Sequence, residues 1–168
     1  MTVRTIFLFL GCLYFSILHA HAQAVPADHS RVSAVFVAST PCSPRTKPLP
    51  GIPRGAGCEL IKWELRLVRD TGKYSSGNYV MDCTYGMPKQ GARGFINGGR
   101  SLHREGKWTI IKGTATNPAA IVYRLDPGKP QVSVSFLCLN KNLLHLLDNR
   151  DQLMIGTGAW SYTLNRMQ

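Results

Sequence analysis

The chain has 168 residues, with 20 Lys and Arg against 9 Asp and Glu and a formal net charge of +11. That length suits one domain, and a hydrophobic share of 44% is enough to build a buried core, which excludes wholesale disorder. The composition also excludes a collagen, a coiled coil and a polytopic membrane protein.

Residues 1–22 read as a secretory signal. Arg4 is the positive end, Ile6 to Leu18 the apolar run, and Ala20-His21-Ala22 the small-residue site that a signal peptidase reads. Cleavage is expected after Ala22, with Ala20 and Ala24 as usable neighbours. The apolar run is too short to span a ~30 Å hydrocarbon core comfortably, so no transmembrane segment is expected after cleavage. Gly11-Cys12 could be a lipidation point, but Leu13 to Leu18 continue the apolar run past it, so Cys12 is read as part of the leader. The expected location is the periplasm or the outer-membrane surface, with secretion as the alternative.

Removing the leader takes away one cationic residue, Arg4, and one of the five cysteines. Cys42, Cys58, Cys83 and Cys138 then form an even set in an oxidising compartment, where disulfides are expected. Three pairings are open. Cys42–Cys58, one cysteine at each end of a proline-rich loop, is the preferred first bridge. Cys83 and Cys138 share the inward parity of their strands and are read either as the second bridge or as two buried free thiols, with Cys58–Cys83 as the main competitor.

Residues 23–31 read as a polar lead-in, and residues 32–168 as one domain. Ser33–Ser39 is a β-branched, apolar strand. Glu59–Asp70 is the clearest strand: Ile61, Trp63, Leu65 and Leu67 share one parity and Lys62, Glu64 and Arg66 the other, a period of two. Asn78–Tyr85 alternates in the same way. Further strands are expected at Lys107–Lys112, Ala120–Asp126, Val132–Asn140, Leu143–Asp148 and Ala159–Asn165, with one helical turn near Leu143–Leu147 as a local alternative. Asp126-Pro127-Gly128 and Asn140-Lys141-Asn142 supply turns. About eight short strands with regular turns suggest an antiparallel meander, closed as a barrel or folded as a sandwich. Closure would remove exposed edges.

Two segments exceed the usual connection length. The first, Pro41–Gly57, carries five prolines and the basic residues Arg45, Lys47 and Arg54. The second, Gly86–Ser101, carries Arg93 and Arg100. These five cations are the candidate binding residues. Trp63, Trp108, Tyr123 and Trp160 are expected in the core, Trp108 as part of a Gly106-Lys107-Trp108 motif at a barrel end.

Catalysis has no support: no nucleophile elbow, zinc-protease motif or phosphate loop is present. A non-enzymatic role is expected. Soft ligands suited to Cu(I) are present as cysteines and as Met81, Met87 and His103, but no dense ligand cluster such as CxxC or HxxxH holds them together. Met81 falls on the inner face, where a core role is the base expectation. His145 is read as a satisfied core or edge histidine. No resident cofactor is expected, with copper as the one alternative.

Ser39-Thr40-Pro41-Cys42, followed by Cys58-Glu59-Leu60-Ile61 and a strand ending at Asp70, resembles the N-terminal domain of NlpE-type envelope lipoproteins. Gly106-Lys107-Trp108, Tyr123 and Asn142-x-Leu144-x-x-Leu147-Asp148 extend the similarity over most of residues 34–165. The resemblance implies a small lipocalin-like β-barrel in the cell envelope, in a family associated with copper homeostasis and envelope-stress sensing. One departure stands out: 15 residues separate Cys42 from Cys58 where the family has two.

Seven Lys and Arg face three acids between Cys42 and Lys73, and six face one between Lys89 and Lys112. Nucleic acid is not expected as a partner of an exported chain that lacks the usual recognition motifs. The sequence therefore points to an envelope binding or sensing module with a site at the barrel mouth. Its partner would be a small molecule, an anionic envelope component or an envelope protein. The alternatives are a metal-handling protein using Cys, Met and His ligands, and a filled-barrel interaction protein.

Overall fold

The structure, a computed structural model, describes residues 32–42, 49–53, 55–114 and 116–168. The leader, the 23–31 lead-in, and Arg45, Lys47 and Arg54 lie outside the described residues. Eight antiparallel strands form a closed barrel in simple chain order. They are β1 (Val32–Pro41), β2 (Leu60–Arg69), β3 (Ser76–Gly86), β4 (Arg100–Lys112), β5 (Ile121–Leu125), β6 (Val134–Asn140), β7 (Leu143–Leu146) and β8 (Thr163–Arg166). β8 returns to pair with β1, so Phe36 lies opposite Arg166 and Val37 opposite Asn165.

The period-two pattern of β2 builds the core as expected. Ile61, Trp63, Leu65 and Leu67 are all buried, and in register they meet Tyr85, Cys83, Met81 and Tyr79 of β3. On the other side Phe36 lies opposite Leu65, and Ala38 opposite Trp63. The Trp63 indole donates to the buried Thr40 hydroxyl at 2.7 Å and meets Phe136 edge-on across the barrel. A buried hydroxyl and a buried indole N–H thus satisfy each other, which removes two desolvation costs with one bond.

Trp108 closes the opposite end. It is fully buried, tilts against Tyr123 with ring centroids 5.4 Å apart, and donates to the Val68 carbonyl at 3.1 Å. Gly77, its partner across β3–β4, permits this approach: a Cβ there would collide with the Val68 carbonyl and crowd the indole nitrogen. Trp160 corrects the core expectation. It is 45% exposed, because the chain reaches β8 only at Thr163 and Trp160 stands in a turn of the β7–β8 connection that the Thr157 N–H closes on its carbonyl.

Strand lengths are unequal, and this positions the site. β1 to β4 have 10, 10, 11 and 13 residues, whereas β5, β7 and β8 have 5, 4 and 4. β4 starts seven residues before the expected Lys107, because Arg100–Gly106 pairs with β3 although its sequence is polar. The expected loop at Gly86–Ser101 shrinks to 87–99, where a Pro88–Phe95 bridge and a short 3-10 turn at Ile96–Gly98 give it order. Among the described residues no helix is long and apolar enough to cross a membrane.

Candidate functional site at the barrel mouth

All four odd-to-even connections, from β1–β2 to β7–β8, emerge at one end of a simple meander. The sequence points to a binding site at that mouth. The mouth is plugged. Cys42 and Cys58 are joined by a disulfide, and inside their loop Leu49, Ile52 and Ala56 are buried in the same core cluster as Trp63 and Phe136. Closing a loop of this length stabilises by roughly 3 kcal/mol through chain entropy. The plug rests on the tall wall, where Gly51 approaches the Leu102 side chain.

On the short side the staves end early and leave a cleft of about 940 Å3. That is within the ~300–1,000 Å3 range of small-molecule sites. Leu49 to Ile52 form one wall, the β5–β6 turn with Pro127, Pro130 and Val132 a second, and Leu147, Asp148, Asp151 and Met154 a third. Arg124 and Ser135 line the floor and are cross-strand partners of β5 and β6. They sit on the parity opposite the buried Leu125, Val134 and Phe136, so both point away from the core.

Arg124 donates through Nη2 to both oxygens of Asp151, at 2.8 and 2.6 Å, and through Nε to the Ser135 hydroxyl at 3.1 Å. The pair is only partly covered, with 27% and 35% of the two side chains exposed, so a ligand can reach it. Asp151 adopts φ +57, the left-handed region that Asp tolerates better than most residues. Asp148 stabilises this turn, accepting from the backbone N–H groups of Arg150 and Gln152 at 2.8 and 2.9 Å. Asp148–Asp151 is thus a polar turn, and Arg124 gives it a charged partner.

A second polar cluster lies behind the cleft. Asp126, also left-handed at φ +50, accepts from the Tyr79 hydroxyl at 2.6 Å and from Arg104 Nη2 at 2.7 Å. Arg104 Nη2 also donates to the Val132 carbonyl at 2.6 Å, tying the β5–β6 turn to the tall wall. The other terminal nitrogen, Nη1, is buried without an acceptor among the described residues. Burial first, and then the bond to Asp126, push the Tyr79 phenol from 10.0 up to about 12. The phenol therefore stays protonated and acts as a donor throughout the physiological range.

The remaining expected residues are dispersed. Arg93 is exposed in the β3–β4 connection and Arg100 exposed at the start of β4. Met81 is buried inside the barrel, Met87 is 37% exposed in the connection after β3, and the His103 side chain is 60% exposed on the outer surface. His103 Nδ1 lies 2.6 Å from Asp82, which also pairs with Arg66, in a polar ladder across β2, β3 and β4. Met81 and His103 lie on opposite faces of the wall, so these three side chains form no common site. Among the described residues no group of three or more His, Cys, Asp or Glu could hold a metal ion.

Cys83 and Cys138 are free thiols, correcting the expected second disulfide. Their shared inward parity is real, but β3 and β6 are separated by two staves around the barrel. Cys83 is buried and its thiol is pushed up to about 12 by burial, with the Asp82 charge adding to it. Cys138 is half-buried, raised by burial, and donates to the Asn140 carbonyl at 3.4 Å. His145 is satisfied as expected, its two ring nitrogens 2.9 Å from the Thr163 hydroxyl and the Met154 carbonyl.

Sequence reasoning missed Arg104, Arg124, Asp126 and Asp151 as paired residues. Its only available signal was Arg104 on the inward parity of Leu102, Gly106 and Trp108, a charge among positions that face a core. No family model matches the chain, and comparison with curated proteins and with solved structures yields no match either.

Proposed function

We propose that this protein is a non-enzymatic binding module of the cell envelope, NlpE-like in its barrel, which takes a small polar ligand in the cleft beside the plugged mouth. The observation that carries the reading is the Arg124–Asp151 pair. It is a pre-aligned donor and acceptor set, partly solvent-reached, on the floor of a cleft of small-molecule size whose lining mixes polar and apolar side chains. Within the cleft one cation stands against two carboxylates, Asp148 and Asp151. A neutral ligand that both donates and accepts hydrogen bonds suits that balance better than an anion.

The test is ligand-observed NMR with a library of small polar compounds, followed by chemical-shift mapping on labelled protein. Support would be shifts concentrated at Arg124, Ser135 and Asp151, lost in Arg124→Ala and Asp151→Ala. Shifts confined to the outer surface, or the same shifts in both variants, would refute the site.

The filled interior favours a second reading, an interaction protein with no small ligand. Leu49 and Ile52 occupy the mouth, while Tyr79, Met81, Phe136 and Leu146 occupy the axis with almost no exposure. On that reading the library yields no cleft shifts at all.

A further inference from the structure

The end of the barrel that carries the plug also carries exposed apolar side chains that neither core nor cleft explains. In the β7–β8 connection Leu153, Ile155 and Trp160 are 50%, 84% and 45% exposed. Met154, between the first two, packs against the core, so Leu153 and Ile155 project outward by strand-like alternation. Thr157 N–H donates to the Trp160 carbonyl, folding Ile155 and Trp160 to either side of one tight turn. In the β3–β4 connection Ile96 is 53% exposed.

The connections at this end of the barrel also carry cations. Residues 87–99 contain Lys89 and Arg93 and no acid, and Lys129 and Arg150 stand in the β5–β6 and β7–β8 connections. The acids of those two connections are engaged: Asp126 with Arg104, Asp151 with Arg124, and Asp148 with the backbone N–H groups of its turn. Lys89, Arg93, Lys129 and Arg150 have no ion pair among the described residues, so their charge is directed outward. By contrast, the outer faces of β2 and β4 alternate through Lys62, Glu64 and Arg66, and through His103, Glu105 and Lys107, which keeps the staves in water.

We propose that this end of the barrel docks on an anionic lipid bilayer surface. Leu153, Ile155 and Trp160 enter the headgroup boundary, and Lys89, Arg93, Lys129 and Arg150 meet the lipid phosphates. Exposed Trp and branched aliphatic side chains, with uncompensated cations in the connections at the same end, are the combination that an anionic interface attracts. The docking is independent of whether the cleft takes a ligand.

The experiment is flotation of the full chain with phosphatidylglycerol–phosphatidylcholine vesicles and with pure phosphatidylcholine vesicles, together with tryptophan quenching by brominated lipid. The leader has no tryptophan, and Trp63 and Trp108 are buried, so quenching reports on Trp160. Binding is expected only with phosphatidylglycerol, to weaken with salt, and to fall by about fivefold for each cation removed. Lys89→Glu with Arg93→Glu, and Ile155→Asp alone, should each reduce it. Quenching should vanish in Trp160→Phe.

All four positions are exposed, so unchanged melting of the variants separates lost docking from lost fold. Equal binding to both vesicle types, or flotation without quenching, would overturn the proposal; the latter would mean that the leader holds the lipid. Self-association or capture of an acidic protein through Ile155 without vesicle binding would overturn it as well.

Discussion

Gly106 lies directly opposite Tyr79 in the β3–β4 register, and its missing side chain is what lets Asp126 reach the Tyr79 hydroxyl. A Cβ at Gly106 would collide with Asp126 Oδ1 and come within 3.0 Å of the Tyr79 ring. Gly106→Ala should therefore destabilise the fold by about 1–3 kcal/mol, the usual range for overpacking. Urea unfolding measures it, and an unchanged midpoint would count against the tight triad.

The same triad imposes a pH dependence. The folded-state pKa of Tyr79 is raised from 10.0 to about 12. Between those values the unfolded chain has lost its phenolic proton while the folded chain keeps it, so stability falls as pH rises through that window. Below pH 10 the contribution is fully present. Tyr79→Phe should flatten this part of the curve and cost about 1 kcal/mol at neutral pH for the lost hydrogen bond. Thermal melts from pH 8 to 12 would show an equal alkaline loss in both proteins if the idea is wrong.

Two tryptophans should behave oppositely. Trp108→Ala removes a fully buried indole, its bond to Val68 and its contact with Tyr123, and should cost ~3–5 kcal/mol. Trp160→Ala should stay within about 0.5 kcal/mol, because the side chain is exposed on a connection. Comparable melting temperatures for the two variants would contradict their placement.

The free thiols should react in a set order. Cys138, half-buried at the β6–β7 hairpin, should alkylate slowly in the native protein, whereas Cys83, buried and raised to about 12, should resist until unfolding. Peptide mapping after iodoacetamide reads both sites, and a Cys83–Cys138 cross-link in unreduced protein would sink the assignment.

Much of the wall was legible because one physical pattern dominates it. Ile61 to Leu67 and Tyr79 to Tyr85 alternate so regularly that strand, face and core membership follow together. Arg100–Gly106 was not legible, because β4 there carries a polar sequence held by pairing with β3 and by the Arg104–Asp126 bond. Trp160 misled for the reverse reason: hydrophobicity says that a residue can be buried, while exposure depends on where the chain turns. The plug misled for a related one, since Leu49 and Ile52 are two apolar residues in a loop read mainly for its charge. Pairings such as Arg124 with Asp151, 27 residues apart, depend on the side-by-side pairing of β5, β6 and β7 and leave no local trace.

Unequal stave lengths give the molecule unequal resistance to opening. The β1–β4 hairpins share long ladders of nine or ten residue pairs, whereas β7 and β8 meet over three residue pairs and β8 and β1 over two. Backbone amides of β7 and β8 should exchange with deuterium by local separation of that seam, while those of β2 and β3 wait for global unfolding. The barrel is closed in topology, but it has a weakest seam, and that seam adjoins the connection carrying Ile155 and Trp160.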